Sequence, residues 1–478
     1  MNKKLIKNYL YNMAYQILMI ISPVITIPFL SRSLGADGIG KYGYTYTLTS
    51  YFVLIATMGC DIYGRREISY LKDNLKARSE KFWSIEIIKI ISTLITLILY
   101  FLFSFYNRNK VILIILSLHL INVPLNIGWY YQGIERFKTL TIRGVILKIV
   151  DFLFVVFFIH EQEDLNLYVA GTSFIAFTTF FALWVDLRKT IVKVPINNLK
   201  LKYDLKNCIL LFLPSIATTL YTLVDKTMLG LISENYFENG YYEQALKINQ
   251  IFLRIVVAFG TVLLPQIAYF HNSGNETGVK ESVEKALRYV YFIGLPIAFG
   301  LSCIANLFVP WFFGEEFFKV AKLLKISGFI ILFQGISDIL GMGYLVSIKK
   351  QNKYTLSLII GTILNLVLNL IFIKKFYSIG VIYASLVSEI IIVTIQMLYV
   401  KEKLNICHIV IIIKNYLIAG IIMYVLTKII SSFFLASILN TIFVTIIGSS
   451  IYFGILYILK DKITLEIINY LKKYFKKF

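Results

Sequence analysis

The chain has 478 residues, 58% of them hydrophobic and 16% charged, with a mean hydropathy of +0.73. A soluble domain carries charge on about a quarter of its residues, so that class is excluded. The formal net charge of +21 would point to nucleic acid in a soluble protein, but most of it sits in loops, where it reports topology, and no nucleic-acid partner is expected.

Apolar runs of about twenty residues follow one another from end to end, as in an all-α polytopic membrane protein of about fourteen transmembrane helices. The first run, near residues 9–31, is not followed by a signal-peptide cleavage pattern and becomes the first span. It carries Asn8, Asn12, Gln16, Pro23 and Thr26 at helical spacing, a polar stripe suited to a protein interior or a wet cavity. Pro23 and Pro28 each remove a backbone donor, which predicts a bend, and Ser31-Arg32-Ser33-Leu34-Gly35 closes the helix. Such a helix suits the wall of a transport site or ordinary packing in a bundle.

Further spans centre near 42–62, 83–105, 111–131, 139–159 and 166–186. A second set centres near 207–232, 241–270, 287–313, 323–347, 354–373 and 379–399. Two more, near 409–428 and 433–459, precede a basic amphipathic end, Lys472-Lys473-Tyr474-Phe475-Lys476-Lys477, which reads as resting on anionic lipid headgroups. With the N-terminus inside, the inner loops hold about 31 Lys and Arg against about 10 in the outer loops, so both termini are expected in the cytoplasm.

The longest connection separates two halves. The expected organisation is an N-terminal lobe at 1–190, a cytoplasmic linker at 191–206, a C-terminal lobe at 207–402, and two additional helices with the basic tail at 403–478. Gly40-Lys41-Tyr42 opens the second span and Gly240-Tyr241-Tyr242 the eighth. Glu135-Arg136-Phe137 followed by Gly144 matches Asn352-Lys353-Tyr354 followed by Gly361 without a gap. Six spans per half starting on the same side make this a parallel repeat.

Charges inside the spans are costly, roughly 2.5–3.5 kcal/mol each on insertion scales, and usually face a cavity or a partner. The eighth span carries Glu243, Lys247, Gln250 and Arg254 on one helical face. The seventh carries Asp225 and Lys226, the fifth Arg143, Lys148 and Asp151, and the twelfth Glu389. Gln334 with Asp338, and Asn365 with Asn369, lie one turn apart. One reading is a wet, net-cationic chamber for an anionic substrate; the other is internal pairing of Lys148 with Asp151 and of Glu243 with Lys247. Glu389 is a packing or a coupling carboxylate. Glu86, Lys89 and Lys414 are expected near span ends, with their charges reaching for water. Tyr42, Tyr44, Tyr46 and Tyr51 suit interfacial packing or stacking on sugar rings. The dispersed histidines (His119, His160, His271, His408) and cysteines (Cys60, Cys208, Cys303, Cys407) have no ligand spacing, so no metal, cofactor or disulfide frame is expected.

A set of loose motifs in order covers nearly the whole chain. They are Pro28-Phe29-Leu30-Ser31-Arg32-Ser33-Leu34-Gly35 with Gly38-Ile39-Gly40, and Gln132-Gly133-Ile134-Glu135-Arg136. Asp225-Lys226-Thr227-Met228-Leu229-Gly230 and Gly240-Tyr241-Tyr242-Glu243-Gln244-Ala245 follow. Gly294-Leu295-Pro296, Phe313-Gly314-Glu315-Glu316-Phe317, and Asn365-Leu366-Val367-Leu368-Asn369 with Gly380 and Glu389 complete the set.

With these the chain resembles the Wzx-type oligosaccharide flippases, in the superfamily that also holds multidrug and toxin extruders. The resemblance implies two six-helix lobes in a V-shaped, alternating-access transporter of the bacterial inner membrane, plus two C-terminal helices, and no enzymatic activity. It implies an undecaprenyl-diphosphate-linked oligosaccharide as substrate, with membrane lipids, a polysaccharide polymerase and a chain-length regulator as partners. Arg32, Asp225 and Glu389 lie on matched motifs. Lys247 and Arg254 come from the helical-face pattern and not from the resemblance; the candidate substrate-facing cations are Arg254, Lys247, Lys226, Arg143, Lys148 and Arg32, and the candidate coupling or ion-pairing acids Asp225, Asp151, Glu243 and Glu389. Coupling to a proton or sodium gradient through Asp225 and Asp151 is a second hypothesis. The rivals are a multidrug or cation extruder of the same fold, whose cavity should be acidic, and a membrane polymerase or glycosyltransferase. The latter needs a sizeable outer loop or an acidic metal site, and Glu161, Glu163 and Asp164 read as a solvated turn instead.

Overall fold

A computed structural model describes the backbone of residues 3–188, 190–401 and 406–475. The side chains of residues 3–20, 213–215, 217, 218, 220, 221, 259–264, 406–410, 471 and 473–475 lie outside the described set. The stripe of Asn8, Asn12 and Gln16, the side chains of Cys407 and His408, and the end of the basic tail therefore fall outside it.

The chain is a multi-pass membrane protein. Among the described residues there are α-helices, short 3-10 turns and one π-helical segment, without a strand, and nine helical stretches are long and apolar enough to cross a membrane. Helix α6 (Phe137–Phe158) is of spanning length but breaks its apolar run with Arg143, Lys148 and Asp151. Charge, not length, sets it apart.

Two compact units divide the chain, Met1–Gly230 with Asn235–Gly240, and Leu231–Glu234 with Tyr241–Phe478. The first opens with α1 (Lys3–Thr57), in which Gly35 leaves helical geometry at φ 64°, ψ −179°. Only glycine enters that region readily, so the helix breaks where Ser31–Gly35 was expected to close it. Next come α2 (Cys60–Tyr70), α3 (Leu75–Phe105), α4 (Lys110–Leu125), α5 (Gly128–Gly133), α6, α7 (Leu165–Leu187) and α8 (Leu201–Ser233). The start of α9 (Tyr236–Asn272) crosses α1 at a contact made by glycine on both sides. A Cβ on Gly40 would overlap the Tyr236 carbonyl, and one on Gly240 the Ala36 carbonyl. These are the glycines that open matching spans in the sequence repeat.

The units part near Gly230–Gly240 and not at the expected linker, for a reason visible at the start of α8. Asp204 there is buried and accepts hydrogen bonds from the Tyr63 hydroxyl at 2.6 Å, the Ser84 hydroxyl at 2.6 Å and the Lys81 ammonium. Burial first, and the Asp204 carboxylate next, push the Tyr63 phenol above its ordinary pKa. Arg78 donates to the Thr190 carbonyl at 2.8 Å, and the Val192 amide donates to the Ser79 hydroxyl oxygen at 3.0 Å. The connecting segment is thus fastened to α3. Beside it, Phe82, Trp129, Tyr130, Tyr131, Cys60 and Cys208 form one buried cluster, with Phe82 stacked on Trp129 at 5.5 Å. Both cysteines are free thiols.

The second unit continues with α10 (Glu276–Phe313), α11 (Phe318–Ser337), α12 (Gln351–Phe376), α13 (Ser378–Val400), α14 (Ile406–Ser431), α15 (Ile438–Ile458) and α16 (Lys462–Phe475). Its polar residues pair across helices. Gln334 donates to Glu389 at 2.9 Å, Gln396 to Ser337 at 3.0 Å and to Ser357 at 3.2 Å, and Asn369 to Asn365 at 3.1 Å. The chain between α11 and α12 is a π-helical segment, Asp338–Val346, whose widened turn begins one turn beyond Gln334.

The glycine crossing gives a test. Gly40→Ala should cost more than about 2 kcal/mol, because backbone and not a flexible side chain must yield. Melting of the purified protein should fall accordingly, and a variant that melts with the wild type would contradict the contact.

Candidate functional site

A polar interior of the first unit lies where α2, α3, α4, α5 and α6 meet. Lys89 of α3 is fully buried there, its Nζ donating to Asp61 Oδ1 at 3.0 Å and to the Asn126 carbonyl at 3.0 Å. The Trp129 ring centre is 5.9 Å from the same ammonium. Glu86, one turn before Lys89, is also fully buried, and neither carboxyl oxygen has a hydrogen-bond partner among the described residues. Glu86 and Lys89 therefore do not reach for water at a span end as expected. Neighbouring helices cover them on every side, and one ammonium serves a corner with two carboxyls.

Asp61 lines two cavities. One, of about 430 Å³, is bounded by Arg65, Asn126, Trp129, Gln132, Thr141 and Arg143. The other, of about 240 Å³, is bounded by Tyr46, Thr49, Ser50, His119, Asn122 and Asn126. Asp61 and Asn126 belong to both, so a polar track joins the two spaces. In the larger, Arg65 donates to Gln132 at 3.3 Å, and the Arg143 guanidinium sits over the Phe180 ring at 4.6 Å. Guanidinium and amide donors around such a space can hold an oxyanion or hydroxyl groups. In the smaller, His119 meets the Tyr46 ring edge-on at 5.2 Å and its Nε2 lies 3.2 Å from the Ser173 hydroxyl.

The candidate residues distribute over both units. Arg143 lines the larger cavity. Lys148 and Asp151 lie further along α6, half-buried, and form no ion pair with each other among the described residues. Arg32 is exposed at the end of the first half of α1. Asp225 is buried on α8, and the backbone carbonyl of Lys226 accepts from Asn239 at 3.0 Å. In the second unit, α9 turns Ala245, Ile248, Asn249 and Val256 inward, and Asn249 accepts from Ser327 at 3.0 Å. Gln250 and Arg254 are exposed, and Glu243 and Lys247 are half-buried. The charged face of α9 is therefore not the face that the second unit buries. Glu389 is buried and accepts from Gln334. The tyrosines of α1 are largely spent on packing, Tyr42 against Tyr168 and Tyr44 against Tyr236, while Tyr46 lines the smaller cavity. Among the described residues no cluster could hold a metal.

Sequence reasoning missed Asp61, Arg65, Glu86 and Lys89 as a site. Their signal was present in part, since Glu86 and Lys89 are at i, i+3 on α3 and Gln132 lies in a quoted motif.

Residues 5–271 match the model of a family described as polysaccharide biosynthesis protein. An Escherichia coli (strain K12) protein whose name assigns it to O-antigen transport is 22% identical over 396 residues, covering 80% of this chain and 94% of that protein. The lipid II flippase MurJ of Bacillus subtilis (strain 168) is 29% identical over 143 residues, 29% of this chain and 26% of its own length. Among solved structures, a lipid II flippase MurJ in an inward closed conformation superposes with a TM-score of 0.72 at 16% identity, covering 94% of this chain and 100% of that one. An inward-facing multidrug resistance MATE family transporter superposes with a TM-score of 0.63 at 14% identity, covering 83% and 95%. At these identities the structures establish the fold.

Lys89→Met should leave Asp61 and Glu86 without their shared cation and cost roughly 2–3 kcal/mol. Adding Asp61→Asn to it should recover more than half of the loss in melting temperature. Equal melting of Lys89→Met and the wild type would show that the pair carries no weight.

Proposed function

Because the chain belongs to the polysaccharide biosynthesis protein family, we propose that it moves a lipid-linked oligosaccharide from one membrane leaflet to the other. The family match over residues 5–271 carries the reading, and the chemistry of the spans agrees with it. The substrate class joins a diphosphate, hydroxyl-rich sugars and a polyprenyl tail. Arg143 and Arg65, with Gln132 and Asn126 beside them, offer charge-assisted and neutral hydrogen bonds to the first two. A cavity of about 430 Å³ holds a headgroup fragment and not a tail, so the tail stays in lipid. On α9, Lys247 and Arg254 extend the same chemistry. No reacting group has to be activated, so the protein acts as a transporter and not as an enzyme. A cation extruder would place carboxylates where these spans place Lys and Arg.

In this reading both termini are cytoplasmic, the donor leaflet is the inner one, and the carrier lipid is undecaprenyl diphosphate. A polymerase and a chain-length regulator take the product. Asp225 and Asp151 are the acids through which a proton or sodium gradient drives the cycle.

Two experiments test this. Deleting the gene should accumulate a lipid-linked glycan on the inner leaflet, and restoring it should clear the glycan. Arg143→Ala, Lys247→Ala and Arg254→Ala, inserted at wild-type levels, should each lower surface polysaccharide production roughly tenfold, the equivalent of about 1.4 kcal/mol. Unchanged surface polysaccharide in all three would remove these cations from the mechanism. For the coupling, Asp225→Asn should abolish the dependence of transport on an imposed gradient, and transport indifferent to both gradients in the wild type would sink that part.

A further inference from the structure

The second unit holds a larger cavity, of about 680 Å³, among α10, α11, α14 and the connection from α14 to α15. Its walls combine two chemistries. Lys325 of α11 and Lys428, in the last turn of α14, enter it from different helices. Neither is in an ion pair among the described residues. Lys428 lies over the Tyr424 ring at 5.4 Å, and Lys322, one turn before Lys325, adds a third like charge nearby. Like charges on adjacent helices repel and call for an anion.

The hydrogen-bond inventory narrows the ligand. Ser302 spends its proton on the Ala298 and Lys325 carbonyls, Ser431 on the Lys428 carbonyl and Ser432 on the Ile429 carbonyl. The donors left facing the space are the two ammonium groups and the exposed amide of Asn306. The rest of the wall is apolar, with Phe299, Phe329 and Phe434, and the connection beside it leaves Phe433 80% and Leu435 86% exposed. Free phosphate would satisfy the lysines and leave these apolar groups uncovered. A membrane lipid supplies an anion and hydrocarbon together.

We propose that this cavity binds the headgroup of an anionic glycerophospholipid of the surrounding bilayer. Lys325 and Lys428 hold its phosphate, Asn306 donates to a phosphate or glycerol oxygen, and Phe433 and Leu435 lie among its acyl chains. The assignment does not depend on which substrate the protein transports.

Native mass spectrometry of the purified full-length protein tests it, with phosphatidylglycerol, phosphatidylcholine and inorganic phosphate added separately. The wild type should retain one phosphatidylglycerol in preference to phosphatidylcholine. Lys325→Gln with Lys428→Gln should weaken that retention roughly tenfold or more, and arginine at both positions should restore it. Lys428→Gln alone, an exposed change at a helix end that leaves the fold intact, should weaken it several-fold. Retention unchanged in Lys428→Gln and in the double variant overturns the proposal. So does equal retention of phosphatidylcholine, or inorganic phosphate that displaces phosphatidylglycerol at equal concentration, since the site would then take phosphate and not lipid.

Discussion

In a medium with little water, a charge on a helix has to be given a partner or a wet space, because leaving it bare costs several kcal/mol. Lys89 shows the first solution. It is wholly enclosed, donates to Asp61 and to a backbone carbonyl that α4 leaves free at its end, and lies near the Trp129 face. Arg143 shows the second, since its guanidinium lies over Phe180 at the edge of a cavity into which Arg65 and Gln132 also reach. Asp61 belongs to both arrangements, with its side chain 37% exposed. The buried pair thereby fixes one wall of the open space.

The same constraint explains where the units divide. Asp204 is buried, and three donors from α2 and α3 hold it, so α8 begins as part of the first unit. The second unit meets its own polar burden differently, through amides and hydroxyls exchanged between α11, α12 and α13, with Glu389 held by Gln334. The exposed polar residues of the second unit include the face of α9 with Gln250 and Arg254. A protein that must carry a polar headgroup through a membrane needs surfaces of this kind, polar and not committed to its own packing.

Much of the architecture was legible in the sequence. Apolar runs of spanning length are dictated by bilayer thickness, and Gly35 ends the first span as its sequence indicates. Arg143 stands out in the sequence as a guanidinium in an apolar run, and it lines the larger cavity; its role toward a substrate is part of the proposal. The corner around Lys89 was not legible. Glu86 and Lys89 fall in the first third of the apolar run expected at 83–105, which reads as a charged span end, but α3 starts at Leu75, and the packing of α2 and α5 over them makes them interior. The division of the chain was hidden for a similar reason. A basic, proline-containing segment at 191–206 looks like a linker, and its attachment to α3 depends on hydrogen bonds between residues more than a hundred positions apart.

The central claim is that these cations serve a lipid-borne diphosphate and not a cationic drug. The most direct measurement reconstitutes the purified protein in liposomes holding a fluorescent polyprenyl-diphosphate-linked sugar in one leaflet, with a cationic dye in parallel vesicles. The account predicts protein-dependent appearance of the sugar in the opposite leaflet and no movement of the dye. Dye transport with the sugar left in its original leaflet would contradict it.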